Sequence, residues 1–291
     1  MPCNIINGKG LAGKHLDNIK KYIDEHKIKP KLVTILAGDN AMMNDTDAGG
    51  AIHSSFDPAS VTYVSIKKKT CESVGISTEI HKVQDEKSLA ELVKRLNADK
   101  TINGILIQLP LPRSFKTQKI IELIDPSKDV DGIHPLNLGR LSYGDESMPA
   151  CTPYGIIKIL EENTKISGAN VAIIGRSTHV GKPLYSMLYN RDATVTMCHT
   201  KTKDIESVTK NSDIIIVAVG KPNYLKGDMI KENAIIIDVG TNRDGKKLVG
   251  DADASVKEKA AAITPVPGGV GPMTVAMLAQ NTLNAYLMQN R

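Results

Sequence analysis

The feature that most constrains this 291-residue chain is a set of short, almost unbroken apolar runs separated by stretches of helical period. Ile214–Val219 is wholly apolar, and Gly104–Ile107 and Val171–Ile174 contain no polar side chain. A strand of that kind must be buried on both faces, as in a parallel sheet covered by helices. Strands are expected at Leu32–Leu36, Thr78–His81, Gly104–Gln108, Val171–Ile174, Thr194–Met197, Ile214–Val219, Ile235–Val239 and Ala262–Thr264. Helices are expected at Leu11–His26, Ala59–Val74, Leu89–Leu96, Tyr154–Glu162, Pro183–Tyr189 and Pro272–Met288. Alternation of this kind predicts an α/β fold with right-handed crossovers.

At roughly 150 residues per domain, the length suggests two domains. The turn-rich segment Tyr143–Pro153 separates two sets of strands and places the boundary near residue 150. Ala41–Asp57, seventeen residues rich in Gly, Asp, Asn and Ser, has no period and reads as a long surface loop, mobile or a lid.

Charge and composition narrow the chemistry. There are 37 basic and 32 acidic residues, a net charge of +5, and aromatics make up only 3% of the chain. That mild, dispersed excess suits anionic small molecules, and the scarcity of rings argues against a base-stacking surface for nucleic acid. Cys3, Cys71, Cys151 and Cys198 are far apart, so no metal site is expected and free thiols in a reducing compartment are. No apolar stretch approaches the ~18 residues that would cross a membrane, and a cytoplasmic location is expected.

Two groups of motifs carry chemistry. In the second half, Asn170–Pro183 (NVAIIGRSTHVGKP) reads as a buried strand, a glycine turn at Gly175 and Gly181, and a helix whose amino end can bind a pyrophosphate. The spacing differs from GxGxxG, and any βα unit can need glycine at its turn. The following strand ends in Cys198-His199-Thr200-Lys201 without the acid that would read a ribose 2′-hydroxyl, and Arg176 follows the first glycine. That pattern favours a 2′-phosphate, hence NADP over NAD; the alternative is that Arg176 and Lys201 are solvated surface charges. In the first half, Tyr63 and Lys67 lie at i and i+4 on one helix face, a pairing also found on ordinary exposed helices. Gln108 ends a buried strand, where α/β proteins place ligands. Lys128–Gly132 and Pro265–Thr274 are dense in residues that fix backbone shape and read equally as rigid turns.

Taken together and in this order, YVSIK, GILIQLPLP, KDVDGIHPLNLGRL, PACTPYG, GRSTHVGKP and ITPVPGGVGPMTVAMLAQNT resemble the bifunctional methylenetetrahydrofolate dehydrogenase/cyclohydrolase family. The resemblance runs from INGK near residue 6 to the last helix, with Ala41–Asp57 outside it as an insertion. It implies two α/β domains with a cleft between them. One is a catalytic, folate-binding domain of residues 1–150 plus 271–291; the other is a Rossmann-like NADP-binding domain of residues 151–270. It implies NADP-dependent oxidation of 5,10-methylenetetrahydrofolate, hydrolysis of the methenyl product to 10-formyltetrahydrofolate, a place in one-carbon metabolism serving purine biosynthesis, and a homodimer. No nucleic acid or membrane partner is expected.

The resemblance also assigns roles. Lys67 is the proton-transferring amine of the hydrolysis, Gln108 bonds and tunes it, and Tyr63 packs on the folate and orients the lysine. Asp131 reads the two-donor edge of the pterin, and these four form the catalytic set. Leu109, Pro110, Pro267, Gly268 and Gly269 complete the substrate site. The cofactor site comprises Gly175, Arg176, Ser177, Val180, Gly181, Pro183, His199, Thr200, Val219, Gly220, Gly240, Thr241 and Gly271. Arg176, Ser177 and Thr200 face the 2′-phosphate and its ribose. Two rival readings remain at this point. YxxxK also occurs in short-chain dehydrogenases, but there the glycine turn precedes it. A non-catalytic folate- or nucleotide-binding module would not be expected to keep Lys67 and the PVPGGVGP loop.

Overall fold

Each apolar run becomes a strand of a parallel sheet. A computed structural model describes residues 2–38, 56–245 and 247–290. In chain order the first elements are β1 (Asn4–Ile5), α1 (Gly8–His26), β2 (Lys31–Ala37), α2 (Pro58–Ser73), β3 (Ser77–Val83), α3 (Glu86–Ala98) and β4 (Gly104–Ile107). Then come α4 (Thr117–Ile121), α5 (Pro135–Ser142), α6 (Cys151–Asn163), β5 (Asn170–Ile174), α7 (Gly181–Tyr189), β6 (Thr194–Cys198), α8 (Ile205–Lys210) and β7 (Ile214–Val217). The chain ends with β8 (Ile235–Asp238), β9 (Asn242–Asp244), β10 (Lys247–Val249), β11 (Ala262–Ile263) and α9 (Val270–Gln289).

The chain folds as two units, one of Leu16–Asn137 with Leu278–Arg291 and one of Met1–His15 with Leu138–Met277. The first 15 residues thus join the second-half strands rather than the amino-terminal domain expected from sequence. The reason is pairing: β1 adds to the sheet edge as Asn4↔Ala262 and Ile5↔Ile263. A two-residue strand has too little pattern to be read beforehand.

The smaller unit holds a three-stranded parallel sheet in the order β3-β2-β4. Val33, Ile35, Ile105 and Ile107 alternate onto one face and pack with Leu89, Leu92, Val93 and Leu96 of α3. Those four helical residues follow the i, i+3, i+4, i+7 rule of an amphipathic helix. Leu32, Leu36 and Leu106, on the opposite face, are buried as well, which explains why these strands carry no polar alternation.

The larger unit holds a six-stranded sheet in the order β1-β11-β8-β7-β5-β6, with every pairing parallel. Ala172, Ile174, Ile215, Val217 and Ile236 form one apolar layer with Val256, Ala260 and Ile263. An antiparallel β9–β10 hairpin follows β8. It went unread in the sequence because Asn242–Asp244 (NRD) has no apolar face.

The segment Ala41–Asp57 lies outside the described residues as far as residue 55. Asp57 is described, and it is the N-cap of α2 rather than loop: its carboxylate accepts from the backbone N–H of Ala59 and Ser60, with Pro58 at the first helical position. The four cysteines are free thiols, as expected. No helix among the described residues is long and apolar enough to cross a membrane.

Arg191 ties three segments of the larger unit together just past the end of α7. Its guanidinium donates to both oxygens of Glu146, to Glu161 on α6 (2.9 Å) and to the Met187 carbonyl (3.0 Å). Arg191→Ala leaves Glu146 without the guanidinium and Glu161 with Lys158 alone, and should cost about 2–3 kcal/mol, read by urea unfolding. Arg191→Lys, which keeps the charge but loses the fork, should cost about 1 kcal/mol in the same measurement.

Candidate active site

The burial pattern of α2 aims Lys67. Ser60, Val64 and Cys71 are the buried residues of this helix, at i, i+4 and i+11, and Lys67 falls at i+7 on that same stripe. A lysine there is carried under the surface, and Lys67 is half-buried. Its Nζ donates to Oε1 of Gln108 at 3.0 Å. Gln108, at the carboxyl end of β4, is 9% exposed. Its own amide N–H is turned back onto the Leu109 carbonyl at 2.6 Å, which leaves Oε1 for the lysine. Tyr63, one turn earlier on α2, is 40% exposed. Burial pushes the Cys71 thiol up to about 12, so it is a core residue and not a nucleophile.

The loop bearing Asp131 is held by buried polar groups on each side. The Lys128 ammonium donates to the carbonyls of Leu96, Asn97 and Asp99 at 2.7–2.9 Å, satisfying acceptors left open where α3 ends. Burial lowers the pKa of this amine. Asp129 is fully buried, and its Oδ2 accepts from the His134 N–H (2.7 Å) and the Asn137 amide (2.9 Å). Asn281 on α9 donates to the Val130 carbonyl at 2.9 Å, and Gln289 donates to the carbonyls of Asn103 and Ser127. The half-buried Asp131 carboxylate is therefore presented by an anchored backbone. It forms no ion pair with Lys67 among the described residues.

Oδ1 of Asp129 is buried with no hydrogen-bond partner among the described residues, and burial raises the carboxyl's pKa. A raised folded-state pKa gives stability that is complete below the unfolded value and is lost as pH rises through the folded one. Asp129→Asn does not titrate, so it should gain on the wild type as pH climbs from about 4 to about 8. Asp129→Ala strips an acceptor from the His134 N–H and the Asn137 amide; it should cost about 2–3 kcal/mol near pH 4, a deficit that narrows as pH rises because alanine does not titrate either. Thermal melts across that pH range check both.

The second constellation lies along the carboxyl edge of the larger sheet. β6, β5, β7 and β8 are neighbours. The residues just past their ends are His199 and Thr200, Gly175 to Gly181, Val219 and Gly220, and Gly240 and Thr241. Residues dispersed from Gly175 to Thr241 are thus brought to one edge. Gly175 has φ +130°, and a Cβ there would lie 2.4 Å from the Ala218 carbonyl oxygen. A Cβ on Gly181 would lie 2.1 Å from the Gly175 carbonyl oxygen. Only glycine permits this turn, and it leaves a cradle beside the amino end of α7. Ser177 Oγ accepts from the Val180 N–H at 3.1 Å, while Arg176 and Thr200 are exposed. No acidic residue occupies Cys198–Lys201. Pro183 and Gly240 are buried, so they shape the edge rather than line it.

The loop before α9 belongs to this same unit. The Gly268 carbonyl accepts from the Lys9 N–H at 2.9 Å; Pro267 and Gly271 are exposed, and Gly269 is buried.

Residues 6–131 match the catalytic-domain model of the tetrahydrofolate dehydrogenase/cyclohydrolase family, and residues 150–290 match its NAD(P)-binding-domain model. The chain belongs to this family. A bifunctional protein FolD from Nitratiruptor sp. is 46% identical over 296 residues, covering 99% of each chain. The solved structure of the bifunctional FolD dehydrogenase/cyclohydrolase from Campylobacter jejuni is 41% identical, with a TM-score of 0.89 over 98% of this chain and 99% of that one. The Trypanosoma brucei dehydrogenase-cyclohydrolase, solved with NADP cofactor and inhibitor, is 32% identical with a TM-score of 0.89, covering 100% of this chain and 99% of that one.

Within the family frame, sequence reading treated Lys128 and Asp129 only as parts of a turn and passed over Asp238, Asn242 and Asp251. The signal available was charge where charge does not belong: Asp238 closes the apolar run IIID, and Asp251 follows a glycine in GDAD. Among the described residues no group of three or more His, Cys, Asp or Glu is placed to hold a metal.

Proposed function

We propose that this protein oxidises 5,10-methylenetetrahydrofolate to the 5,10-methenyl form with NADP⁺ and then hydrolyses that product to 10-formyltetrahydrofolate. The observation that carries the reading is the Lys67–Gln108 hydrogen bond, which sets a half-buried amine at a strand end within the family's catalytic region.

In the hydrolytic step, water adds to the cationic methenyl carbon, a proton leaves the adding oxygen, and a ring nitrogen takes one up as the C–N bond breaks. Lys67 moves those protons at Nζ, and the Gln108 carbonyl oxygen holds the amine in place between transfers. Tyr63 covers the folate and keeps the lysine aligned. Asp131 accepts from the amino and ring N–H groups of the pterin, and a rigid loop lets it do so without reordering. Leu109 and Pro110 extend the folate surface.

NADP⁺ accepts the hydride released from the one-carbon bridge. The glycine cradle at Gly175 and Gly181 fits a pyrophosphate, and the acid-free end of β6 beside Arg176 fits a 2′-phosphate. Arg176, Ser177 and Thr200 would hold that phosphate and its ribose; Val180, Gly181, Pro183 and His199 would shape the adjacent edge. Val219, Gly220, Gly240, Thr241 and Gly271 would border the nicotinamide half. We assign folate binding to residues 1–150 with 271–291 and dinucleotide binding to 151–270, a functional division that cuts across the two compact units, which group residues 1–15, 138–150 and 271–277 with the second-half strands. A cytoplasmic homodimer is the state the family resemblance supports, and light scattering would measure it.

Lys67→Met should lower cyclohydrolase turnover by about a hundredfold or more while leaving NADPH formation within about tenfold. Equal losses in the two spectrophotometric assays would contradict the role given to Lys67. Arg176→Ala should raise the KM for NADP⁺ by about tenfold and leave that for NAD⁺ nearly unchanged. An unaltered NADP⁺/NAD⁺ preference would remove this arginine from the phosphate site.

A further inference from the structure

We propose that Asp251, a buried carboxylate distant in sequence from the glycine turn, is a positioning residue for the dinucleotide site. Oδ2 accepts from the backbone N–H groups of Val219 (2.6 Å) and Gly220 (2.9 Å). Oδ1 accepts from the Lys221 N–H (2.9 Å) and the Asn242 side-chain amide (2.8 Å). Three consecutive backbone donors just past β7 therefore converge on one anion supplied by the protein itself. Such a run of donors is the geometry that elsewhere binds phosphate; here it is filled, and the turn is locked in one shape.

The same carboxylate shapes the neighbouring strand end. A Cβ on Gly240 would lie 2.4 Å from Asp251 Oδ1, so the glycine leaves room for this side chain. Asp238, at the end of β8, accepts from the N–H groups of Gly240, Asp251 and Ala252, all at 2.9 Å. Its hold on the Asp251 N–H fixes the backbone from which the carboxylate projects. The Asp251 carbonyl accepts from Leu225 N–H at 3.0 Å, which closes the far side of the β7 loop. Asp251 is 0% exposed, so it does not meet the cofactor; it sets where Val219, Gly220 and Gly240 stand.

The inference rests on the functional reading above, and the two activities separate it from a general structural role, because the hydrolytic step needs no dinucleotide. Asp251→Asn swaps one charged acceptor for a donor facing N–H groups. It should raise the KM for NADP⁺ and the Kd for NADPH, read by fluorescence titration, about tenfold. Turnover at saturating NADP⁺ and cyclohydrolase activity should stay within about twofold. Asn242→Ala removes one donor from the carboxylate without touching the turn, guards against misfolding of the first variant, and should raise both constants about threefold. Wild-type KM and Kd in both folded variants would overturn the proposal. So would parallel loss of both activities in Asp251→Asn with wild-type constants in Asn242→Ala. Failure of the functional reading shows separately, as a wild-type chain without folate-dependent NADP⁺ reduction; the NADPH titration still reports on Asp251 in that case.

Discussion

A parallel sheet buried on both faces leaves only its strand ends for chemistry, because helices cover everything else. That constraint governs both units of this protein. It also creates a difficulty, since strand-end loops carry backbone N–H and C=O groups that no ladder pairs. Left without partners out of water, each would cost about 1–3 kcal/mol. The chain meets this with buried charged side chains. Lys128 satisfies three carbonyls where α3 ends, Asp129 accepts from the loop that follows Asp131, and Asp251 and Asp238 between them accept from six backbone N–H groups, four at the ends of β7 and β8 and two just past β10.

These charges explain why the functional loops need no secondary structure of their own. A charge-assisted hydrogen bond is stronger than a neutral one, and several converging on one side chain fix a backbone in a single shape. Asp131 and the β7 turn can therefore meet a ligand already ordered. The Lys67–Gln108 pair works at smaller scale: the glutamine amide is held by its own backbone neighbour and the amine by the glutamine.

Much of this was legible in the sequence. The strands β2, β4, β5, β7 and β8 were read to within one or two residues because unbroken apolar runs leave few alternatives. Helices α1, α2, α3, α6, α7 and α9 were read to within three residues, the largest misses falling at the amino ends of α1, α3 and α6, where periodicity does not set the boundary. At α2 a cap sets it: Asp57 looked like loop and caps the helix carrying Lys67. What escaped was short or polar: β1, the β9–β10 hairpin, α4, α5 and α8. Tertiary pairing decides such elements, and a few residues of local pattern cannot announce it. Among site residues, Lys67, Gln108 and the Gly175–Gly181 turn stood out through the family resemblance carried by YVSIK, GILIQLPLP and GRSTHVGKP, because each motif alone reads equally as an exposed helix face, a strand end or an ordinary βα turn. Asp251 did not, because the β7-turn donors it meets lie 30 to 32 residues away.

The sequence by itself determined the α/β architecture, the glycine turn and the amine one helical turn from a tyrosine, since each follows from local period or from a residue type nothing else can replace. Only the tertiary structure decided which side chains meet. Lys67 reaches Gln108 across 41 residues of chain because β4 delivers the glutamine to the strand end that the inward stripe of α2 faces. Asp251 reaches the β7 turn because the hairpin after β8 folds the chain back over it. Contacts of that kind depend on where the backbone returns, and a linear pattern of hydrophobicity carries no record of it.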